Sequence, residues 1–154
     1  PMREATLCHP LRDDDLLFIR KQRGPGAGNL VAPGGKIEDG ETPRECAVRE
    51  TREEVGLEVR GLDKRGELRF VFGEEPFMFV HVFLTRDFVG RPQETDEGVP
   101  RWIDTDDLPY EEMWDDDRYW LPLLLDGQQF RGEFFFDSDG EDVLEYDLVT
   151  GLDF

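Results

Sequence analysis

The chain has 154 residues, 38% of them hydrophobic, which suits a single compact domain, residues 1–154, with a sizeable core. It carries 37 acidic and 18 basic residues, and the formal net charge of -19 disfavours binding to a nucleic acid polymer. No stretch is apolar enough to cross a bilayer and the first residues lack a signal peptide's apolar core, so we expect a cytosolic protein, monomeric and without a membrane partner.

Lysine is scarce among the basic residues. Only Lys21, Lys36 and Lys64 are lysines, and the other 15 are arginines. Surplus carboxylate with little lysine is typical of proteins from a salt-rich cytoplasm, where screening relieves self-repulsion. We therefore hypothesise an acidic, halophilic-type protein, in which a pair of acidic residues is not by itself evidence of a site.

Apolar and β-rich runs predict seven strands. They span residues 4–8, 16–20, 68–72, 77–85, 99–103, 131–136 and 143–148. Between the second and third runs, the segment RGPGAGNLVAPGG at residues 23–35 is rich in glycine and proline and must turn tightly. Cys8 and Cys46 show no CxxC spacing, and His9 and His81 have no evident partner in sequence, so we expect structural roles for all four.

The clearest helix follows this loop. Thr42 is a capping residue, Pro43 suits the first helical position, and Glu45 stands at the spacing of a capping box. The helix should end at Gly56. At about 100° per residue, one stripe faces the core and the neighbouring stripe is acidic. The core stripe comprises Ala47, Val48, Thr51 and Val55, and the acidic stripe comprises Glu50, Glu53 and Glu54 with Arg49 at its edge.

The three glutamates of this helix repel one another. Their β-carbons lie about 5 to 6 Å apart, and at an effective dielectric near 20 each pair costs about 3 kcal/mol. A divalent cation is the natural partner, and oxygen ligands without thiolate or paired imidazole favour magnesium or manganese over zinc. The alternative is an acidic helix face solvated by water, and the spacing alone leaves both open.

A second helix is predicted after the acidic run 115–117, covering residues 119–125. The run itself has a simple structural interpretation, an acidic cap favoured by the helix dipole.

Eight residues at fixed spacing resemble the Nudix box, residues 35–57. They are Gly35, Glu41, Arg49, Glu50, Glu53, Glu54, Gly56 and Leu57. Thr51 departs from the family's usual aliphatic residue, at a position in the core stripe. The resemblance implies the α+β Nudix fold, a mixed β-sheet sandwiched between helices (α/β/α).

The same resemblance implies roles for the box residues. Glu50, Glu53 and Glu54 would bind Mg²⁺, or alternatively Mn²⁺, together with the carbonyl of Gly35. Arg49 and Glu41 would orient the cluster.

Outside the box, Glu97 matches a family glutamate that approaches the metal, and it is a candidate base or ligand beside Glu53. The alternative interpretation is that Glu97 is an ordinary acidic residue of an exposed loop segment, ETDE.

Longer segments resemble the branch of the family that hydrolyses oxidised purine nucleoside triphosphates. They are GPGAGNLVAPGGK, EEPFMFVHVF, ETDEGVPRWIDTDDLP and MWDDDRYWLPLLLDGQQFRGEFFF. The resemblance implies hydrolysis of 8-oxo-dGTP and 2-oxo-dATP to the monophosphate and pyrophosphate. It also implies a base pocket of Asp116 and Asp117 flanked by Trp114 and Trp120. The alternative for both tryptophans is core packing.

Two residues of the glycine-rich loop depart from that branch in ways that bear on recognition of the purine base. Val31 stands where that branch has a base-contacting asparagine, and Pro25 stands where it has an aromatic residue. Lys21 and Arg23 are candidate phosphate contacts or solvated basic residues.

Two alternative functions remain open. The enzyme could act on a nucleotide sugar, a dinucleoside polyphosphate or a methylated guanosine triphosphate, or the chain could be a non-catalytic nucleotide-binding module.

Overall fold

A mixed sheet lies between two helices in the computed structural model, which describes residues 3–24 and 26–154. Pro25 therefore lies outside the described residues. The elements are β1 (Arg3–Arg12), β2 (Asp15–Lys21), β3 (Leu30–Val31), β4 (Gly34–Lys36), α1 (Pro43–Val55), β5 (Glu58–Arg60), β6 (Asp63–Phe72), β7 (Glu75–Thr85), β8 (Asp87–Val89), β9 (Gly98–Asp104), α2 (Asp117–Leu125), β10 (Phe130–Phe136) and β11 (Val143–Thr150). This arrangement confirms the predicted fold class.

All seven predicted strands are present, and each is longer than its apolar run. The strands missed from sequence are β3, β4, β5 and β8, which have only two or three residues and so cannot show an alternating pattern. The second helix begins at Asp117, inside the acidic run and not after it. None of the helices in the described ranges is long and apolar enough to span a membrane.

The main sheet has the strand order β11-β10-β6-β7-β1-β2-β3, and β4 and β9 pair with β1 and β2. The β1–β7 and β6–β10 pairs are parallel, whereas the other pairs are antiparallel. One edge of β1 pairs with β7, and its other edge pairs with β4 near Thr6 and with β2 near Leu11. The short strand β4 is thereby fixed beside the middle of the sheet.

Successive residues of β2 point to opposite faces and build two separate cores. Leu16 and Phe18 pack with Trp120 of α2, whereas Leu17 and Ile19 pack with Ala47 of α1. Each large apolar side chain that is fully buried stabilises the fold by about 1.5 to 3 kcal/mol. The helices are therefore held on opposite faces, with α1 as the platform for the acidic stripe.

Both histidines and both cysteines are buried, which is compatible with the structural roles expected for them. Cys8 and Cys46 are free and buried, and burial raises the pKa of Cys8 to about 12. His9 Nδ1 lies 3.1 Å from the carbonyl oxygen of Phe83, and His81 Nε2 lies 3.0 Å from a carboxylate oxygen of Glu4.

Candidate active site

Helix α1 begins and ends where its sequence predicts. The Thr42 side chain accepts a hydrogen bond from the Glu45 N–H at 3.1 Å, and the Glu45 side chain accepts one from the Thr42 N–H at 2.8 Å. Gly56 adopts φ 77°, a left-handed conformation that favours glycine, and its N–H donates to the carbonyl of Arg52. The capping box and this C-cap define the length of the helix and so the direction in which its glutamates point.

Two glycines of β4 allow close approaches of the main chain, Gly34 to β1 and Gly35 to α1. A Cβ at Gly34 would lie 2.0 Å from the Thr6 carbonyl oxygen, and one at Gly35 would lie 2.4 Å from the Glu50 carboxyl carbon. The Gly34 N–H donates to Glu54 Oε1 at 3.1 Å. A larger residue at Gly34 would push β4 away from β1, and one at Gly35 would push β4 away from the acidic stripe, so the short strand joins the sheet to the helix.

Arg49 joins the acidic residues of the stripe to the preceding loop. Its Nε and Nη2 donate to the two carboxylate oxygens of Glu41 at 2.7 and 3.0 Å. Its Nη1 donates to Glu50 at 2.7 Å and to Glu53 at 3.2 Å. Hydrogen bonds from Arg49 lower the pKa of Glu41 to about 2, and the same contacts raise the pKa of Arg49. Arg49 thus links Glu41 of the preceding loop to Glu50 and Glu53 of the helix.

Glu50 and Glu54 form the inner part of the site. Burial raises the pKa of Glu54 to about 9, and the nearby Glu50 and Glu97 act in the same direction. The Glu54 carboxyl group also hydrogen-bonds that of Glu50. Two crowded carboxyl groups that share a proton can share a cation in its place, because a proton and a cation each remove the repulsion between the two carboxylates.

Glu53 is more exposed than this pair, although it shares Arg49 Nη1 with Glu50. Its side chain is 58% exposed and contacts Arg49, whereas that of Glu50 is 18% exposed. Within residues 3–24 and 26–154, no group of three or more histidine, cysteine, aspartate or glutamate side chains is arranged to hold a metal ion. The carboxyl groups that do converge are those of Glu50 and Glu54, with the main chain of Gly35 packed against Glu50, and carboxylate oxygens fit a hard divalent cation.

Thr95, which the sequence analysis missed, holds the Glu97 loop beside α1. The Thr95 hydroxyl donates to the carbonyl of Glu54 at 2.7 Å and accepts from the Glu97 N–H at 3.2 Å. Glu97 also lies 3.5 Å from Arg23 Nη2. A lone threonine within an acidic loop carries no local signal of this role, because its partner lies 41 residues away.

Asp116 and Asp117 are buried at the start of α2. Burial raises the pKa of Asp116 to about 6, and burial together with the charge of Asp116 raises the pKa of Asp117. Asp116 makes no side-chain capping bond, and its Oδ2 accepts from the Trp120 indole N–H at 2.6 Å. The acidic run therefore stands at the start of α2, as the acidic-cap interpretation has it, with Asp116 at the N-cap and Asp117 in the first turn, but the Asp116 side chain binds Trp120 and makes no capping bond.

The two tryptophans have different surroundings. Trp120 is 1% exposed and stacks on Phe130 with its ring centroid 5.8 Å away, so the core-packing alternative describes its ring. Trp114 is half-buried, and a Cβ at Gly26 would lie 2.8 Å from its ring. Trp114 therefore borders the glycine-rich loop, and Trp120 orients Asp116 from within the core.

The remaining candidates lie around the glycine-rich loop. Lys21 ends β2, and a Cβ at Gly24 would lie 3.8 Å from its Nζ. Arg23 is exposed. Val31 pairs with Ile19 and packs against the core on the α1 side, whereas Met113 and Trp120, which precede and follow the aspartate pair, belong to the α2-side core. Val31 thus packs with the α1-side core, and Met113 and Trp120 with the α2-side core.

Comparisons with known proteins agree with this geometry. A family model described as the NUDIX domain matches residues 1–124. The chain is 42% identical over 140 residues to an oxidized purine nucleoside triphosphate hydrolase of Danio rerio, covering 90% of this chain and 88% of that protein. It is 41% identical over 144 residues to the protein of the same description from Mus musculus, covering 93% and 92%. A MutT protein from Bacillus halodurans has a TM-score of 0.86 at 27% identity, covering 96% of this chain and 97% of that one.

Proposed function

The chain belongs to the NUDIX domain family, and we propose that it is a pyrophosphohydrolase that acts on oxidised purine nucleoside triphosphates of the 8-oxo-dGTP and 2-oxo-dATP type. Its products are the nucleoside monophosphate and pyrophosphate, and its role is to remove damaged nucleotides from the pool. The Danio rerio and Mus musculus relatives are named for this substrate class. The observation that carries the chemistry is the Glu50 and Glu54 carboxyl pair held against the main chain of Gly35.

We propose Mg²⁺ as the cofactor, with Mn²⁺ as the alternative. Glu50, Glu54 and the Gly35 carbonyl would hold it, and Glu53 and Glu97 are the candidate further ligands. When bound, the cation neutralises phosphate oxygens, which matters in a protein whose net charge of -19 repels a triphosphate.

The hydrolytic step requires a base and an oriented acidic cluster. Arg49 and Glu41 hold the cluster in register through their paired hydrogen bonds. Glu53 or Glu97 accepts a proton from the attacking water, whose oxygen forms a bond to phosphorus in the inner part of the triphosphate. The bond from phosphorus to the bridging oxygen breaks, and pyrophosphate leaves with the electron pair of that bond.

The buried aspartate pair is proposed to recognise the base. With one shared proton, one carboxyl group donates a hydrogen bond and the other accepts one, which suits the complementary edge of a purine. Trp114 would stack on the purine, worth about 1 to 3 kcal/mol by analogy with single-strand binders. Lys21 and Arg23 would contact the phosphates.

The test is pyrophosphate release from 8-oxo-dGTP and dGTP, measured side by side with Mg²⁺ at high and low KCl. We expect a strong preference for the oxidised base. Glu53→Gln should lose activity, whereas Glu145→Gln, an exposed glutamate of β11, should keep it. Equal rates with both nucleotides would refute the substrate assignment, and full activity of Glu53→Gln would refute its catalytic role.

Val31 favours a second candidate within the same chemistry. An apolar side chain cannot hydrogen-bond a base, and apolar contacts discriminate poorly between related substrates. A nucleotide sugar, a dinucleoside polyphosphate or a methylated guanosine triphosphate would then be the substrate. Release of a sugar phosphate from a nucleotide sugar, of two nucleotides from a dinucleoside polyphosphate, or of pyrophosphate from a methylated guanosine triphosphate, without pyrophosphate from 8-oxo-dGTP, would favour it. Binding without any hydrolysis would indicate a non-catalytic module.

A further inference from the structure

Arg20 contacts two segments that are far apart in sequence. Its Nη1 donates to the main-chain carbonyl of Gly28 at 3.0 Å, and its Nη2 lies 2.6 Å from a carboxylate oxygen of Glu112. The side chains of Arg20 and Glu112 are 32% and 41% exposed, so the ion pair is partly shielded from water. One guanidinium group thus joins the glycine-rich loop to the segment before α2.

Both segments border the site of base recognition. Gly28 belongs to the loop that approaches the Trp114 ring at Gly26. Glu112 stands two residues before Trp114 and four before Asp116. Among residues 24 and 26–29 of the loop, the main-chain hydrogen bonds are local, such as the Gly28 N–H to the Lys21 carbonyl at 2.8 Å. Arg20 therefore supplies a side-chain connection between the glycine-rich loop and the segment before α2.

We propose that Arg20 is a positioning residue that sets the spacing between the glycine-rich loop and the segment carrying Trp114 and the aspartate pair. The proposal rests on the function proposed above and adds a residue to it that touches neither the phosphates nor the acidic helix. Arginine suits this role because its planar group presents several N–H donors in a rigid fork. Lysine has a single nitrogen on a flexible stem and would hold the two partners less firmly.

Loss of this connection should weaken substrate binding more than the chemical step. A loop that is not held in place must be ordered when the nucleotide binds, and this ordering reduces affinity. Glu50 and Glu54 lie on the opposite side of the sheet from Arg20, so the reacting phosphorus keeps its surroundings. For a partly exposed ion pair with one hydrogen bond we expect KM to rise about fivefold to tenfold and kcat to change less than about twofold.

The experiment compares Arg20→Gln, Arg20→Lys, Glu112→Gln and the double variant Arg20→Gln/Glu112→Gln. The matched control is Arg101→Gln, an exposed arginine of β9 that lies opposite Phe18 and has no ion pair within the described ranges. KM and kcat are measured with 8-oxo-dGTP and Mg²⁺. We expect the double variant to be no worse than Arg20→Gln alone and the control to match the wild type. The proposal would be overturned if the increases in KM of the two single variants multiplied in the double variant, or if kcat fell at constant KM.

A second measurement separates this proposal from the proposed function. Hydrogen exchange of the Gly28 and Asn29 amides is followed without nucleotide in the wild type, Arg20→Gln and Glu112→Gln. Faster exchange in both variants supports the connection, because Glu112 contacts the loop through Arg20. Unchanged exchange overturns it. If the wild type leaves 8-oxo-dGTP intact, the proposed substrate fails, and the exchange result still decides the role of Arg20.

Discussion

Acidification should remove a stabilising contribution from His9. His9 is 1% exposed, and its ring meets the edge of Trp120 with the centroids 5.6 Å apart. Burial lowers the pKa of His9 from 6.5 to about 4. The imidazole therefore stays neutral in the folded chain at pH 5, whereas the unfolded chain takes up a proton. Because the unfolded state binds more protons, the unfolding free energy decreases as the pH falls from 6.5 towards about 4, the two pKa values of His9.

The size of the effect follows from the two pKa values. With 6.5 in the unfolded chain and about 4 in the folded one, the His9 contribution falls by about 2 kcal/mol between pH 7 and pH 5. Asp116 acts in the opposite direction, because burial raises its pKa to about 6 and the folded chain gains a proton first. The pH profile of the wild type alone therefore combines opposing contributions.

Comparison with His9→Gln isolates the histidine. Urea unfolding at pH 7 and pH 5 gives the destabilisation caused by this substitution, which should be about 2 kcal/mol smaller at pH 5. Leu17→Ala, a buried change on the other face of the sheet, should cost the same at both pH values. Equal costs of His9→Gln at the two pH values would mean that the folded imidazole is protonated, and the reasoning from burial would be wrong.

Three further predictions concern the site and the charge. Gly35→Ala places a methyl group 2.4 Å from the Glu50 carboxyl carbon, so Mg²⁺ affinity measured by calorimetry should fall at least about tenfold; unchanged affinity would exclude Gly35 from the metal site. KM for 8-oxo-dGTP should rise with pH as the aspartate pair, whose pKa values are raised, loses its shared proton, and Asp117→Asn should abolish this dependence. With a net charge of -19, urea midpoints should rise with KCl, and full stability in dilute buffer would contradict the halophilic hypothesis.

Local sequence was sufficient to predict the helix that carries the acidic stripe. The capping box of Thr42 and Glu45 and the left-handed stop at Gly56 act within a few residues of each helix end, so their chemistry is readable from spacing. The convergence of Glu50 and Glu54 follows from helical geometry in the same way. Seven strands were long enough to show their apolar runs, and the resemblance supplied the way in which they assemble.

Only the tertiary structure decided which side chains meet. The pairing of β4 with β1 brings Gly35 against Glu50, and Arg49 Nη1 joins Glu53 to Glu50 while the Glu53 side chain stays 58% exposed. The contacts of Arg20 with Gly28 and Glu112 likewise join residues that no helical or strand period relates. A residue's role in the site depends on burial and on partners distant in sequence, and these are set by the packing of the whole chain, whereas the start and end of a helix are set by its own residues.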